Sequence, residues 1–154
     1  TLGLSSAASD VYKRQAVRRV IVHEKLIEDV QIALGQRLSK TTIGDPRVEG
    51  VRMGSLAGKS QKTEVLENIN KLAKSQEIVF GNEESFEVVG ANKDKGAFVS
   101  PFLFLNSYPF KNLDCHDIEV FGPVATIMPY KDVNEAINLA RLGKGSLVCS
   151  LVTQ

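Results

Sequence analysis

Glu119 and Phe121 are the side chains whose types and spacing point most directly to chemistry. They lie two residues apart in the segment E-V-F-G-P-V at residues 119–124. In an extended chain, side chains two residues apart point the same way. A carboxylate can then accept hydrogen bonds from sugar hydroxyls while a ring packs against a flat heterocycle. The alternative is an ordinary turn before a strand.

A second candidate is the segment G-S-L-A-G-K-S at residues 54–60, which resembles a phosphate-binding loop at the start of a helix. That motif has four residues between its glycines, whereas three separate Gly54 from Gly58. The preceding residues do not form the buried strand that should lead into such a loop. A plain loop with Ser60 as a helix cap is the competing interpretation.

Cysteine and histidine residues offer weaker candidates. Cys115 and His116 are neighbours, and adjacent side chains usually point apart, which disfavours both a nucleophile–base pair and a metal site. Cys149 lies in an apolar run and is expected to be a small core residue. We expect His23 to lie on the surface, and we expect no catalytic residue and no metal ligand in this chain.

The elements that position these groups alternate between strand and helix. Residues 17–23 and 78–80 are short and β-branched, which predicts strands. Two amphipathic helices are predicted from apolar residues at three- and four-residue steps. Their apolar residues are Leu26, Ile27, Val30, Leu34 and Leu38 in the first, and Val65, Leu66, Ile69, Leu72 and Ala73 in the second. Residues 83–95 read as a surface loop or hairpin, and Pro101 argues against a central position for the extended run 97–105.

The last third predicts a strand, a helix and a second strand. Residues 124–128 are the first strand, Asp132 and Glu135 form a capping box, and residues 146–152 are nearly all apolar. We expect Val133, Ala136, Ile137 and Ala140 to share one face of the helix, which Gly143 ends. Two apolar strands joined by a helix predict a buried parallel crossover, so the fold class is α/β. Because a domain rarely stops directly after such a strand, we also expect the C-terminus to be truncated.

Composition excludes several classes of protein. The 154 residues are 43% hydrophobic and 24% charged, as in ordinary globular proteins rather than disordered or fibrous ones. A formal charge of +1 without a basic stripe argues against nucleic acid as a partner. The longest apolar runs are far shorter than the ~20 residues that cross a bilayer. Two cysteines and no signal peptide favour a reducing, cytoplasmic location.

The first fifteen residues read as foreign to the protein. They show no apolar period, and residues 10–15 (DVYKRQ) can be encoded by a transposase end sequence that is used to tag sequencing libraries. We therefore expect residues 1–15 to be a translated adapter scar and residues 16–154 to be native, with a natural disordered arm as the alternative.

Several motifs together resemble the catalytic domain of the aldehyde dehydrogenase superfamily. They occur in the family's order: R-R-V-I-V at 18–22, G-D-P at 44–46, M-G-S-L at 53–56 followed by Gln61, and E-V-F-G-P-V at 119–124. The resemblance covers essentially all of residues 16–154. Within the superfamily the chain is most similar to the aldehyde dehydrogenase half of the bifunctional ring-opening enzyme of phenylacetate degradation. The segments that carry this likeness are E-G-V-R-M-G at 49–54, H-D-I-E at 116–119, M-P-Y at 128–130 and G-K-G-S-L at 143–147.

This resemblance implies a mostly parallel sheet flanked by helices and an NAD- or NADP-dependent oxidation of an aldehyde. In the family a cysteine thiolate attacks the aldehyde, hydride passes to the cofactor, and a glutamate activates the hydrolytic water. Glu119 would bind the nicotinamide ribose and Phe121 would lie near the nicotinamide ring. The family's cysteine would stand two residues before Ala16, where this chain has Arg14. The chain alone is therefore expected to be inactive and to bind cofactor weakly.

The subgroup implies a semialdehyde carried on coenzyme A as substrate, and the family implies a homo-oligomeric parent protein. Two other functions remain open at this point. One is a non-catalytic binding or structural protein with the aldehyde dehydrogenase fold, and the other is a small phosphate-binding module built on Gly58, Lys59 and Ser60.

Overall fold

A four-stranded sheet forms the centre of the computed structural model, which describes residues 17–144, 146 and 148–152. Its strands are β1 (Arg19–His23), β2 (Glu77–Phe80), β3 (Phe102–Leu105) and β4 (Val124–Tyr130). Their order is β1-β4-β3-β2. Strand β4 runs parallel to both β1 and β3, and β2 joins antiparallel at the edge. The predicted α/β class with a mostly parallel sheet is confirmed.

Helices cover both faces of this sheet. A 3-10 turn (Glu24–Leu26) leads into α1 (Ile27–Ser39), and the other helices are α2 (Lys59–Leu72), α3 (Asp114–Asp117) and α4 (Val133–Arg141). Because neighbouring residues of a strand point to opposite faces, Ile127 and Met128 of β4 belong to different cores. Ile127 packs on the α1 side, whereas Met128 packs with Leu139 of α4. A third cluster joins Val65 and Ile69 of α2 to the sheet.

Strand β3 corrects one prediction from the sequence. It lies inside the sheet between β4 and β2, not at an edge. Pro101 precedes its first residue, so the proline's missing N–H removes no hydrogen bond from the ladder. The proline therefore marks where the strand begins, and Phe102, Leu103 and Phe104 behind it are all buried.

The predicted buried strand at residues 146–152 is wrong for the residues that the structure describes. Residues 146 and 148–152 have no strand assignment, and Val148, Leu151 and Val152 are exposed. Cys149 is also exposed, which corrects its interpretation as a core residue. An apolar run alone does not bury a segment; it also needs a neighbouring strand to supply hydrogen bonds.

Helix α4 buries a different face from the apolar face expected. Leu139 is fully buried, whereas Val133 and Ile137 are 69% and 44% exposed. The Asp132 cap is confirmed, because the Glu135 N–H donates to Asp132 Oδ1 at 3.0 Å. Glu135 accepts in return from the Lys131 N–H, one residue earlier than in a standard capping box.

Helix α2 begins without the expected Ser60 cap. Its N-cap is Gly58, which is extended and offers no side chain, and Ser60 lies inside the first turn.

The interpretation of residues 1–15 as an adapter scar concerns residues outside those that the structure describes. Within the described ranges, no helix combines the length and apolar character needed to cross a bilayer.

Candidate functional site

The segment before β4 presents Glu119 and Phe121 to solvent on one side. Phe121 is 62% exposed and the Glu119 side chain 53%, whereas Val120 between them is 8% exposed and packs in the core. This alternation is that of an extended chain with one face buried. The carboxylate and the ring therefore point away from the core together, as their spacing predicts.

A tight double turn over residues 120–124, with Phe121 at the centre of its first turn, fixes where the segment enters the sheet. The Gly122 N–H donates to Val120 O and the Val124 N–H donates to Gly122 O, both at 2.8 Å. These bonds span three residues each, which is the γ-turn pattern. A Cβ at Gly122 would lie 2.9 Å from both methyl groups of Val65, so a glycine is needed for this close approach to α2.

Two side chains from distant parts of the sequence tether this segment. Gln61 Nε2 donates to Phe121 O at 2.8 Å, and Gln61 Oε1 accepts from the Ala57 N–H at 3.0 Å. One Arg18 nitrogen lies 3.9 Å from a Glu119 carboxylate oxygen. Both pairs are far apart in sequence, so only the fold reveals them. Gln61 appeared in the sequence only as part of a family motif, and nothing in the pattern pointed to Arg18 as a partner of Glu119.

An open cleft lies beside the double turn. Its volume is about 340 Å³, and the residues that line it are Met53, Gly54, Ser55, Leu56, Val99, Gly122 and Pro123. A second cleft of about 210 Å³ shares Met53, Gly122 and Pro123 with the first and extends toward Leu38 and Phe102. The lining of both is predominantly apolar, so these clefts suit a flat or aliphatic group better than a charged one.

The arrangement suits hydrogen bonding and stacking rather than bond cleavage. The Glu119 carboxylate offers up to four lone-pair directions, of which one long contact to Arg18 uses only a part. Phe121 offers an exposed ring face. Together they offer hydrogen-bond acceptors for hydroxyl donors and an apolar surface for a planar group.

Cys115 and His116 are neighbours on the short helix α3, and their side chains point apart, as expected for adjacent residues. Cys115 accepts a hydrogen bond from Asn106 Nδ2 at 3.2 Å, and burial raises the pKa of its thiol. His116 contacts Arg19 and the Pro109 carbonyl instead. A buried thiol with a raised pKa is a poor nucleophile at neutral pH.

In the described part of the chain, no three side chains of His, Cys, Asp or Glu come together to hold a metal ion. His23 is half-buried rather than fully exposed; its Nδ1 accepts from the Lys25 N–H, and its ring meets Tyr130 edge-on.

The loop at residues 54–60 does not form a phosphate cradle. The Leu56 N–H donates to Ala97 O at 2.9 Å, and the Ala57 N–H is taken by Gln61. Met53 makes only an isolated bridge with Ile43 rather than ending a buried strand. Two amides of the loop are therefore occupied in holding the loop itself and the start of α2 in place.

Comparison with known proteins identifies the family to which this sequence and fold are similar. The family model described as "Aldehyde dehydrogenase family" matches residues 15–154. The chain is 40% identical over 139 residues to the 3,4-dehydroadipyl-CoA semialdehyde dehydrogenase of Aromatoleum evansii, covering 90% of this chain and 27% of that protein. It is 43% identical over 102 residues to the protein MaoC of Klebsiella aerogenes, covering 66% and 29% respectively.

Solved structures give the same result. A variant of an aldehyde dehydrogenase from Bacillus cereus matches with a TM-score of 0.68 and 30% identity, covering 79% of this chain and 23% of that one. A succinic semialdehyde dehydrogenase from Streptococcus pyogenes, solved with NADP+, matches with a TM-score of 0.67 and 27% identity over 80% of this chain and 25% of that one. The chain thus spans about a quarter of the length of the relatives it matches. Its sequence motifs, its fold and these matches agree: the chain belongs to the aldehyde dehydrogenase family.

Proposed function

We propose that this chain is part of an NAD(P)-dependent aldehyde dehydrogenase that oxidises a coenzyme A-linked semialdehyde in phenylacetate-type aromatic catabolism. The observation that carries the proposal is the exposed pair of Glu119 and Phe121 beside an apolar cleft, in the family's E-x-F-G-P-V segment. The name of the Aromatoleum relative supports the substrate class, since that protein is a CoA-semialdehyde dehydrogenase.

In this proposal Glu119 accepts hydrogen bonds from the nicotinamide ribose hydroxyls, and Phe121 packs beside the nicotinamide ring. The bound cofactor supplies the hydride acceptor, NADP or NAD. Arg18 places a positive charge beside the Glu119 carboxylate, and Gln61 holds the Phe121 peptide by its carbonyl. These four residues bind and orient, and none of them acts as a nucleophile.

The nucleophile is the main point on which the proposal depends. By the family's spacing, the cysteine falls at position 14, where this chain has Arg14. We propose that residues 1–15 are a translated adapter scar and that the natural protein has a cysteine at this position. The chain of 154 residues is then expected to produce no reduced cofactor from any aldehyde, and any clear production would contradict this account.

The role of Glu119 is tested in the full-length protein recovered from the natural gene. Glu119→Gln weakens the hydrogen bonds to the ribose, and a bond to a charged acceptor contributes about 1.5–3 kcal/mol, so KM for the cofactor should rise roughly 10- to 150-fold. Glu77→Gln, an exposed carboxylate on the edge strand β2, is the matched control and should leave KM unchanged. Equal effects of the two variants would refute the assigned role.

Arg14 also favours one alternative function. If this arginine is natural, it occupies the position of the nucleophile, and the chain belongs to a non-catalytic protein of the same fold that binds ligands or partners. The full-length protein would then bind cofactor at Glu119 without turning over aldehyde. Steady-state assay and cofactor titration on the same sample distinguish the two functions.

A further inference from the structure

Arg19 connects three separate parts of the chain through one guanidinium group. Its Nη1 donates to Leu139 O at 2.9 Å, and its Nη2 donates to Ala140 O at 3.2 Å, both at the end of α4. The same Nη1 also lies 3.2 Å from His116 Nδ1 on α3. Both carbonyls also accept backbone bonds, Leu139 O from the Leu142 N–H and Ala140 O from the Gly143 N–H. Carbonyls at the end of a helix carry partial negative charge, so a cation is well placed there. Arg19 is the first residue of β1, so it joins this strand to both helices.

These contacts determine the state of His116. Arginine can only donate hydrogen bonds, so His116 Nδ1 must be the acceptor and is unprotonated. The proton then sits on Nε2, which donates to the Pro109 carbonyl at 2.9 Å. His116 is 4% exposed, and burial lowers its pKa, which favours this neutral form. Both ring nitrogens are occupied, so the ring is held from two sides.

The position of residues 119–124, which follow α3, depends on the contacts of His116 with Arg19 and the Pro109 carbonyl. Helix α3 has only four residues, too few to be stable through its own hydrogen bonds. Glu119 lies three residues after His116, and Phe121 lies five residues after it. Two ion pairs also hold the same stretch: Arg18 lies near Glu119, and Lys144 contacts Asp117. Adjacent arginines at the start of β1 therefore hold the segment at two points.

We propose that Arg19 is a positioning residue which, through His116, fixes Glu119 and Phe121 relative to the start of β1. The importance of that position rests on the proposed function, in which these two side chains contact the cofactor and the nucleophile precedes the same strand. Hydride transfer depends steeply on the distance and orientation of the reacting groups. A link between β1 and the segment that carries Glu119 and Phe121 would hold the segment at a fixed position relative to the strand.

A single indole makes the position of the segment measurable without any cofactor. The chain has no tryptophan, so Phe121→Trp introduces a unique fluorophore at the site. In this background Arg19→Met removes the charge and all donors while it keeps most of the apolar stem. The amplitude of nanosecond depolarisation of the indole should rise about twofold, because the segment gains freedom on that timescale. Arg141→Met, the same change at an exposed residue on the last turn of α4, is the matched control and should leave the amplitude unchanged.

A second pair of variants cuts only the link to α3. His116→Leu leaves the bonds of Arg19 to α4 in place, so it decides the question even if Arg19→Met does not fold. It should raise the amplitude as Arg19→Met does. His116→Gln should restore the parental amplitude, because its amide can accept from Arg19 and donate to Pro109 O. Arg19→Lys should restore it in part, since one nitrogen replaces Nη1, which contacts both Leu139 O and His116 Nδ1.

The titration of His116 adds a readout that general loosening would not produce. In the wild-type chain the neighbouring cation of Arg19 disfavours protonation of the ring. In Arg19→Met the midpoint of His116, followed by nitrogen-15 NMR, should therefore shift upward, and in Arg141→Met it should not.

If the folded Arg19→Met and His116→Leu variants match Arg141→Met in indole depolarisation, the proposal is wrong. Because no cofactor is present in these measurements, a failure of the proposed function would instead appear as an unaltered KM in the full-length Glu119→Gln variant.

Discussion

Replacement of Gly122 by alanine tests the packing that places the double turn against α2. The added Cβ would lie 2.9 Å from both methyl groups of Val65, closer than carbon atoms pack without displacement. Val65 is 1% exposed, and a β-branched side chain in a helix has essentially one rotamer, so it cannot swing away. The turn or the helix must shift instead.

The expected cost follows from overpacking of a tight site. Inserting a methyl group into a well-packed core typically costs about 1–3 kcal/mol. For a domain of this size that corresponds to a fall in Tm of roughly 2–12 °C, at about 2–4 °C per kcal/mol. Gly54→Ala is the control, because its added Cβ would find only Pro46 at 3.8 Å, an ordinary contact.

A double-mutant cycle isolates the contact itself. Val65→Ala removes both methyl groups and should by itself cost about 2–3 kcal/mol. In that background Gly122→Ala should cost close to nothing, because the new methyl group occupies space that Val65 has left. The coupling energy between the two positions, measured by urea unfolding with far-UV circular dichroism, should be about 1–3 kcal/mol. Additive effects would refute the packing argument.

Further predictions concern groups whose surroundings the structure defines. Because burial lowers the pKa of His116 in the folded chain, the unfolded state binds more protons near and below the ordinary histidine pKa. Stability should therefore fall as the pH drops through about 6.5, and His116→Gln should flatten that part of the unfolding profile. Cys149 should react with a thiol reagent at once and Cys115 only after unfolding, since the first is exposed and the second buried; equal rates would contradict both placements. Leu139→Ala should cost about 2–5 kcal/mol, because this fully buried residue anchors α4 to the sheet.

The parts of the fold that could be predicted are those determined by local periodicity. Strands β1, β2 and β4 lie where short β-branched or apolar runs predicted them, and helices α1, α2 and α4 lie where the spacing of apolar residues predicted them. The central position of β3 could not be predicted, since Pro101 at its entry reads as an edge signal until the strand's starting residue is known. The exposure of Val148, Leu151 and Val152 could not be predicted either. Whether an apolar run is buried depends on a neighbouring strand rather than on composition.

The same distinction applies to the candidate site. The common orientation of Glu119 and Phe121 follows from the two-residue period of an extended chain, so the sequence predicts it. The partners of this segment are not local. Gln61, Arg18 and Arg19 reach it only because α2 and β1 are brought beside it by the sheet and its cores. No periodicity in a single sequence encodes such long-range pairs.

The most direct test of the aldehyde dehydrogenase account is the sequence of the natural gene, read from the original DNA across the codons for Gln15 and Ala16. The account predicts a cysteine codon two positions before Ala16, within a Gly-Gln-x-Cys-Thr type segment that replaces the end of residues 1–15. An arginine codon at position 14, continuous with a genuine upstream sequence, would contradict it and leave the non-catalytic protein of the same fold as the better interpretation.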